Sequence, residues 1–388
     1  MYISRNIKDQ VQLYLKLFPV ILLTGPRQTG KTTFLLNQLS KYKYVTLDDP
    51  AEAERAVNMP QQFLDSLSVP VIIDEVQYAP GLFHYIKSAV DANKKPGSYV
   101  LTGSQQFNIM HNISESLAGR CGVLSMLTLS FDELSSQQDI SLTDYIVQGG
   151  YPALYSDSIM KAAYWFPSYI NTYLERDVRN IININNLRDF NRFIRALALR
   201  SGQILSLSDL ARDVGIAPNT AKAWLSTVES SGIVKLLEPY FFNKGKRLVK
   251  SPKVYFTDTG LLCHLIGINS YSELLVSPLS GAVWETYAFC QIFHAFLKEG
   301  KINPPLWFWR DRTGNEVDFV IEKGGRYILF EAKLTEKPSK KECKGFTKFE
   351  AYYGEGSVIR RSIIAPVNKS FPLEDGITVD NGRLATID

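Results

Sequence analysis

The chain has 388 residues, 45% of them hydrophobic, and its 43 Lys and Arg against 39 Asp and Glu leave a formal charge of +4. That size and apolar content exclude a fibrous or disordered chain and leave room for about two to four packed domains. So small a charge permits nucleic-acid binding without arguing for it, so local clusters must decide.

Cys121, Cys263, Cys290 and Cys343 are scattered, with no Cys-x-x-Cys pair and no His at metal-ligand spacing. This argues against a zinc site or a disulfide framework and for a reducing compartment. The opening residues Met1-Tyr2-Ile3-Ser4-Arg5 turn polar at once, and the first apolar run, Val20 to Leu23, is far short of a bilayer span. A cytoplasmic protein with no membrane association is expected.

Residues 19–24 form an apolar run of strand length that leads into Gly25-Pro26-Arg27-Gln28-Thr29-Gly30-Lys31-Thr32-Thr33. This is the G-x-x-x-x-G-K-[ST] pattern of a phosphate-binding loop. Its glycines let backbone N–H groups wrap a phosphate, Lys31 neutralises the β and γ phosphates of ATP, and the Thr32 hydroxyl can ligate Mg²⁺. A second apolar strand, 69–73, ends in Asp74-Glu75. At the carboxyl end of a buried parallel strand, Asp74 would hold the Mg²⁺ through water and Glu75 would polarise the attacking water. A third strand from Tyr99 runs into Thr102-Gly103-Ser104-Gln105, with Ser104 placed to sense the γ-phosphate.

These motifs, with Leu47-Asp48-Asp49, Ile73-Asp74-Glu75-Val76-Gln77 and Leu117-Ala118-Gly119-Arg120, resemble the AAA-type ATPases. More narrowly, the chain resembles a prokaryotic group whose ATPase carries a C-terminal restriction-endonuclease-like domain. That resemblance implies an arginine finger at the end of the helix after the sensor strand, a position Arg120 fills between residues 107–117 and the apolar run 123–129. An arginine there can equally cap its own helix or pair with a surface carboxylate.

Residues 131–200 read as aromatic-rich helices interrupted at Gly149-Gly150-Tyr151-Pro152, the size of a helical lid. Arg176 and Arg179 could reach the nucleotide as lid arginines, or pair with Glu175 and Asp177 along the helix surface. Residues 208–214, the turn 215–218 and residues 219–229 suit a helix-turn-helix within a winged helix, with Asn219, Thr220 and Lys222 as groove contacts. The following hairpin concentrates Lys244, Lys246, Arg247, Lys250 and Lys253. They can serve as phosphate-neutralising wing cations or as a solvated hairpin tip.

The last block reads as an amphipathic helix over 282–296, strands at 307–310, 316–321 and 327–333, and a tight turn at Gly324-Gly325. A period of two puts Glu331 and Lys333 on one strand face, the preceding strand carries Asp318, and Glu285 lies on the helix before it. This resembles the PD-(D/E)xK nuclease core, which implies that Asp318 and Glu331 hold divalent metal while Lys333 aligns water. Many such domains only bind, and acidic strand residues can simply be solvated.

The expectation is a multidomain α/β chain: a P-loop parallel-sheet ATPase core (1–130), a helical lid (131–200), a winged helix (201–255) and a restriction-endonuclease-like domain (256–388). It would bind and hydrolyse ATP with Mg²⁺, act on DNA through the wing and the tail, and be capable of homo-oligomerisation. The catalytic set would be Glu75, Arg120, Glu285, Asp318, Glu331 and Lys333. The rival reading is a non-cleaving, nucleotide-dependent switch that docks a protein or DNA.

Overall fold

In the computed structural model the described residues are 2–104, 116–156, 159–174, 187–240 and 251–383. Gln105, most of the helix expected at 107–117, the lid arginines Arg176 and Arg179, and the wing cations Lys244, Lys246, Arg247 and Lys250 lie outside them.

Five short strands, β1 (Val20–Thr24), β2 (Lys43–Thr46), β3 (Val71–Asp74), β4 (Tyr99–Gly103) and β5 (Cys121–Ser125), form one parallel sheet in the order β2-β3-β4-β1-β5. A parallel sheet is covered on both faces, which is why β1 is buried at every position. Its alternate residues feed two layers. Val20 and Leu22 pack with Ile73, Leu101, Phe83 and Ile86 on one side, and Ile21 and Leu23 pack with Ile72, Val100, Leu124 and Phe34 on the other. Each such side chain contributes about 1.5–3 kcal/mol by leaving water.

The apolar run 123–129 is strand only as far as Ser125. The Met126 amide still donates to the Thr24 carbonyl, but the Leu129 amide donates to Gly150, 2.7 Å away. The run is apolar throughout because its second half enters a different core, with Leu127 and Leu129 packed among the middle helices.

Gly149-Gly150, expected as a break between helices, is a close-packed joint. A Cβ on Gly149 would lie 2.2 Å from Asp258 Oδ1, and one on Gly150 would lie 2.0 Å from the Leu129 carbonyl oxygen. Buried Asp258 accepts hydrogen bonds from the amides of Gly150 (2.8 Å) and Leu261 (2.9 Å), tying the middle helices to the last third of the chain.

Next come β6 (Gln203–Ile204), helix Leu207–Val214, helix Pro218–Ser230, β7 (Val234–Leu237) and β8 (Lys253–Phe256). The three strands form an antiparallel sheet in the order β6-β8-β7. Gly215 ends the first helix at φ +81°, a left-handed cap that glycine adopts without strain, and Pro218 opens the second.

The final sheet is six-stranded and mixed: β9 (Leu306–Arg310), β10 (Glu316–Lys323), β11 (Arg326–Ala332), β12 (Val358–Ile364), β13 (Phe371–Pro372) and β14 (Ile377–Asp380), in the order β13-β14-β12-β11-β10-β9. β9, β10 and β11 pair antiparallel, whereas β11, β12 and β14 run parallel, with helix Lys344–Tyr353 as the crossover between β11 and β12. Helix Ser280–Lys298 packs into a core shared with the middle helices, and the crossover helix buries Phe346 and Phe349 against Trp309, Val320 and Leu329. No helix among the described residues is long and apolar enough to cross a membrane.

Candidate functional site

Among the described residues, two polar sites stand at strand ends. In the first, the loop after β1 turns back at Gly25 (φ +141°), where a Cβ would lie 2.0 Å from the Met126 carbonyl oxygen, and enters its helix through Gly30 (φ +86°). Only glycine serves at such positions. Helix Lys31–Gln38 starts there, so its free amides face the loop, where an anion is favoured.

Lys31 Nζ donates to the carbonyls of Gly25 (2.9 Å) and Pro26 (2.8 Å), and Thr29 Oγ1 donates to the Pro26 carbonyl (2.9 Å). Pro26 is buried; a Cβ on Gly232, just beyond the helix-turn-helix segment, would lie 3.0 Å from its ring. Arg27 reaches Tyr78, Gln28 holds a left-handed φ of 62°, and Thr33 is exposed.

Asp74 closes β3 among hydroxyls. Thr32 Oγ1 and the Tyr44 hydroxyl each donate to its Oδ2 at 2.8 Å, and Thr102 donates to Oδ1. Burial and the Asp74 contact push the Tyr44 hydroxyl up to about 12. Thr102 Oγ1 also accepts from the Glu75 amide (3.2 Å), which helps hold Glu75 at its left-handed φ of 56°. Gln77 donates to Glu75 and stands 3.5 Å from Ser104 Oγ. Burial raises the Glu75 carboxyl, against the opposing pull of Lys31. Thr102 and Tyr44 were not in the expected set; the one signal for Thr102 was a hydroxyl at the end of a buried strand beside the acidic one. The adjoining Thr32 hydroxyl and Asp74 carboxylate are hard oxygen donors of the kind Mg²⁺ takes.

Arg120 is not brought to this loop. It precedes β5, where Cys121 is level with Val20, so one strand length, roughly 16 Å at about 3.3 Å per residue, separates it from Gly25. Its guanidinium grips Asp91 at 2.6 and 3.0 Å.

The second site lies between β8, helix Ser280–Lys298 and β10–β11. Asp318 Oδ2 accepts from the Ala332 amide at 2.9 Å, Lys333 Nζ lies 2.7 Å from Glu331 and 3.5 Å from Asp318, and Glu285 completes the expected quartet. Lys333 follows the last residue of β11, and its amide still donates to the Ile364 carbonyl (2.9 Å). Glu316 joins the group unexpectedly: carboxylate oxygens of Glu285, Glu316 and Asp318 lie within 4.8 Å of one another.

Lys253 corrects the sequence reading. Expected on an exposed wing, it is 2% exposed in β8, with Nζ 2.8 Å from Glu285, 3.8 Å from Asp318 and in contact with Glu316. Burial would lower its ammonium, but Glu285 and its neighbours hold it well above the ordinary lysine range. Burial raises Glu285 to about 7 against Lys253. Burial and then Asp318 raise Glu331, while Lys253 and Lys333 overcome burial to pull Asp318 below the usual carboxylate range. The donors alone would suit a divalent cation, but a buried ammonium already stands among three of them, so the set as folded does not fit a metal.

The loop, the strand order and the hydroxyl-ringed Asp74 define a P-loop ATPase core, and the family model described as AAA domain matches residues 17–135. The chain belongs to the family of two mycobacterial relatives, Uncharacterized protein Rv2008c of Mycobacterium tuberculosis and Uncharacterized protein Mb2031c of Mycobacterium bovis. It is 33% identical to each over 363 residues, covering 92% of this chain and 79% of theirs. Two models described as domains of unknown function, DUF8612 and DUF4143, match residues 139–272 and 280–381. Among solved structures, the Walker-type ATPase PABY2304 of Pyrococcus abyssi aligns at TM-score 0.44 and 15% identity over 67% of this chain and 94% of that one. The STAND protein PH0952 of Pyrococcus horikoshii aligns at TM-score 0.23 and 11% identity over 76% and 47%.

Proposed function

We propose that this chain is a Mg²⁺-dependent ATPase whose nucleotide cycle gates a DNA-directed tail. The observation that carries the ATPase part is the 2.8 Å contact between Thr32 Oγ1 and Asp74 Oδ2 beside the helix that Lys31 opens. Lys31 leaves the carbonyls of Gly25 and Pro26 for the β and γ phosphates, and backbone amides from Gln28 to Thr33 wrap them. Thr32 and Asp74 would hold Mg²⁺, which when bound would offset the charge of the phosphates. Glu75, its carboxyl raised by burial, takes a proton from the attacking water. Thr102 fixes the Asp74 carboxylate and the Glu75 backbone, and Gln77, which also reaches Ser104, holds the Glu75 side chain.

Arg120 serves a neighbouring copy as its finger. Its distance from its own loop supports this role, which requires Asp91 to release it.

Two contacts support gating. Pro26 of the loop rests against Gly232, and Pro152 lies near Gly30, where a Cβ would meet its ring at 3.6 Å. A phosphate that reshapes the loop therefore presses on the expected lid at Pro152 and on the expected winged helix at Gly232. On the helix-turn-helix, Asn219 and Lys222 are exposed and Thr220 half-buried, as groove contacts require. The test is MgATP hydrolysis together with duplex binding in the presence and absence of nucleotide. No hydrolysis at any protein concentration refutes the ATPase, and duplex affinity indifferent to nucleotide refutes the gating.

Asp318 and Glu331 on adjoining strands, with Lys333 just past the second, support a second reading, in which the tail cleaves DNA. The ion pairs of Lys253 favour the non-cleaving switch. Mg²⁺-dependent cleavage by wild type, lost in Glu331→Ala, decides for the nuclease.

A further inference from the structure

We infer that Lys253 is the resident cation of the C-terminal carboxylate cluster: its ammonium occupies the position a divalent metal would take, and the chain as folded binds no metal there. The inference deepens the switch reading and rests on its view of Glu285, Asp318 and Glu331 as a nuclease-type carboxylate set.

An ammonium has three N–H donors. Three carboxylates, those of Glu285, Glu316 and Asp318, converge on Lys253 Nζ, and Tyr255, two residues along β8, gives Glu285 Oε1 a further hydrogen bond of 2.5 Å. The lysine side chain is 3% exposed, against 16% for Glu285, 22% for Glu316 and 8% for Asp318, so the cation sits deeper than all three acids around it. Lys333 and Arg310 pair with other oxygens of the same group, Lys333 with Glu331 and Asp318 and Arg310 with Glu316 at 2.9 Å. Lys253, Lys333 and Arg310 thus offset most of the charge of the four acids, so little net attraction is left for a dication, and the ammonium would repel one at contact range.

Lys253 does not come from the strands that carry the acids. It belongs to β8, in the sheet that also contains β6 and β7, while Glu316 and Asp318 lie on β10 and Glu285 on helix Ser280–Lys298. Its Nζ also lies over the Phe308 ring at 5.5 Å. The same side chain that fills the cluster therefore fastens one sheet to the other.

The test is Mn²⁺ uptake by the nucleotide-free full chain, read by electron paramagnetic resonance, in wild type, Asp318→Asn, Lys253→Met and Lys253→Met/Asp318→Asn. Methionine keeps most of the side-chain length and removes the charge. Wild type should show no uptake that Asp318→Asn abolishes, Lys253→Met should gain one tightly held Mn²⁺ per chain, and the double variant should lose it. Wild-type uptake that depends on Asp318 overturns the inference, as does a folded Lys253→Met chain that takes none. If Lys253→Met does not fold, the Lys253 ammonium resonance of ¹⁵N-lysine wild type decides. A slowly exchanging signal unbroadened by Mn²⁺ upholds the inference, and a broadened one overturns it. Wild type that takes up Mn²⁺ without cutting DNA defeats the resident cation while leaving the switch standing; wild type that also cuts defeats both.

Discussion

Among the described residues two acidic sites stand at strand ends, and they differ in what surrounds the acids. Asp74 receives its hydrogen bonds from the hydroxyls of Thr32, Tyr44 and Thr102, neutral groups that orient a carboxylate without cancelling its charge. The C-terminal acids face ammonium and guanidinium groups from three directions. The lysine nearest the first site, Lys31, points at backbone carbonyls, which it can exchange for phosphate. The lysine in the second is committed. A site ringed by neutral donors is ready for a cationic cofactor, and one ringed by cations has already spent its charge on holding the fold.

That contrast is sharpest under mutation. Glu75→Gln keeps the shape of the first site and removes the base, so turnover should fall by about 10²–10⁴-fold with ATP binding retained, as measured by steady-state hydrolysis and nucleotide titration. Wild-type turnover should also fall as pH drops through the raised Glu75 value, above the ordinary carboxylate range, because the protonated form cannot accept the water proton. The acid limb should vanish in the variant.

Lys253→Ala should act on stability instead. Leaving buried acids without their cation costs about 3–5 kcal/mol, read as a lowered denaturant midpoint, with ATP affinity unchanged. Loss of ATP binding without loss of stability would reverse the roles assigned to the two sites. Lys31→Ala should do the opposite and remove the ATP-dependent rise in melting temperature, worth about 2.7 kcal/mol at a ligand concentration of 100 times Kd.

Thr102→Val preserves shape and deletes a hydroxyl shared by Asp74 and the Glu75 amide. Turnover should drop about tenfold, more than affinity does; an equal loss of both would make Thr102 a binding group only. The smallest effect belongs to Arg120→Ala, which should leave the melting temperature of the isolated chain unchanged. In wild type, but not in the variant, hydrolysis per chain should rise with protein concentration. A rate independent of concentration removes the finger.

The nucleotide-binding loop was legible because its chemistry demands rare residues at fixed spacing, and the apolar runs at 19–24 and 69–73 revealed the strands beside it. What escaped notice was written in common residues. Thr102 is an ordinary threonine until the fold sets it next to Asp74. Gly149 and Gly150 read as a break, since glycine marks loops and close approaches alike, and only the structure supplies Asp258 and Leu129 as the approaching atoms. Lys253 was assigned by its neighbours in sequence, a run of cations, although Lys253-Val254-Tyr255-Phe256 is a strand buried at every position. A lysine opening such a strand needs acids, and they are supplied about 30 to 65 residues later by Glu285, Glu316 and Asp318, beyond the reach of any local pattern.

The touch between Pro26 and Gly232 has a thermodynamic corollary. Coupling between two binding events is a single free energy shared by both. If ATP, by reshaping the loop, alters how tightly the helix-turn-helix segment holds a partner, that partner must alter ATP affinity by the same factor. Whatever the segment grips would then set the nucleotide concentration at which the chain fires.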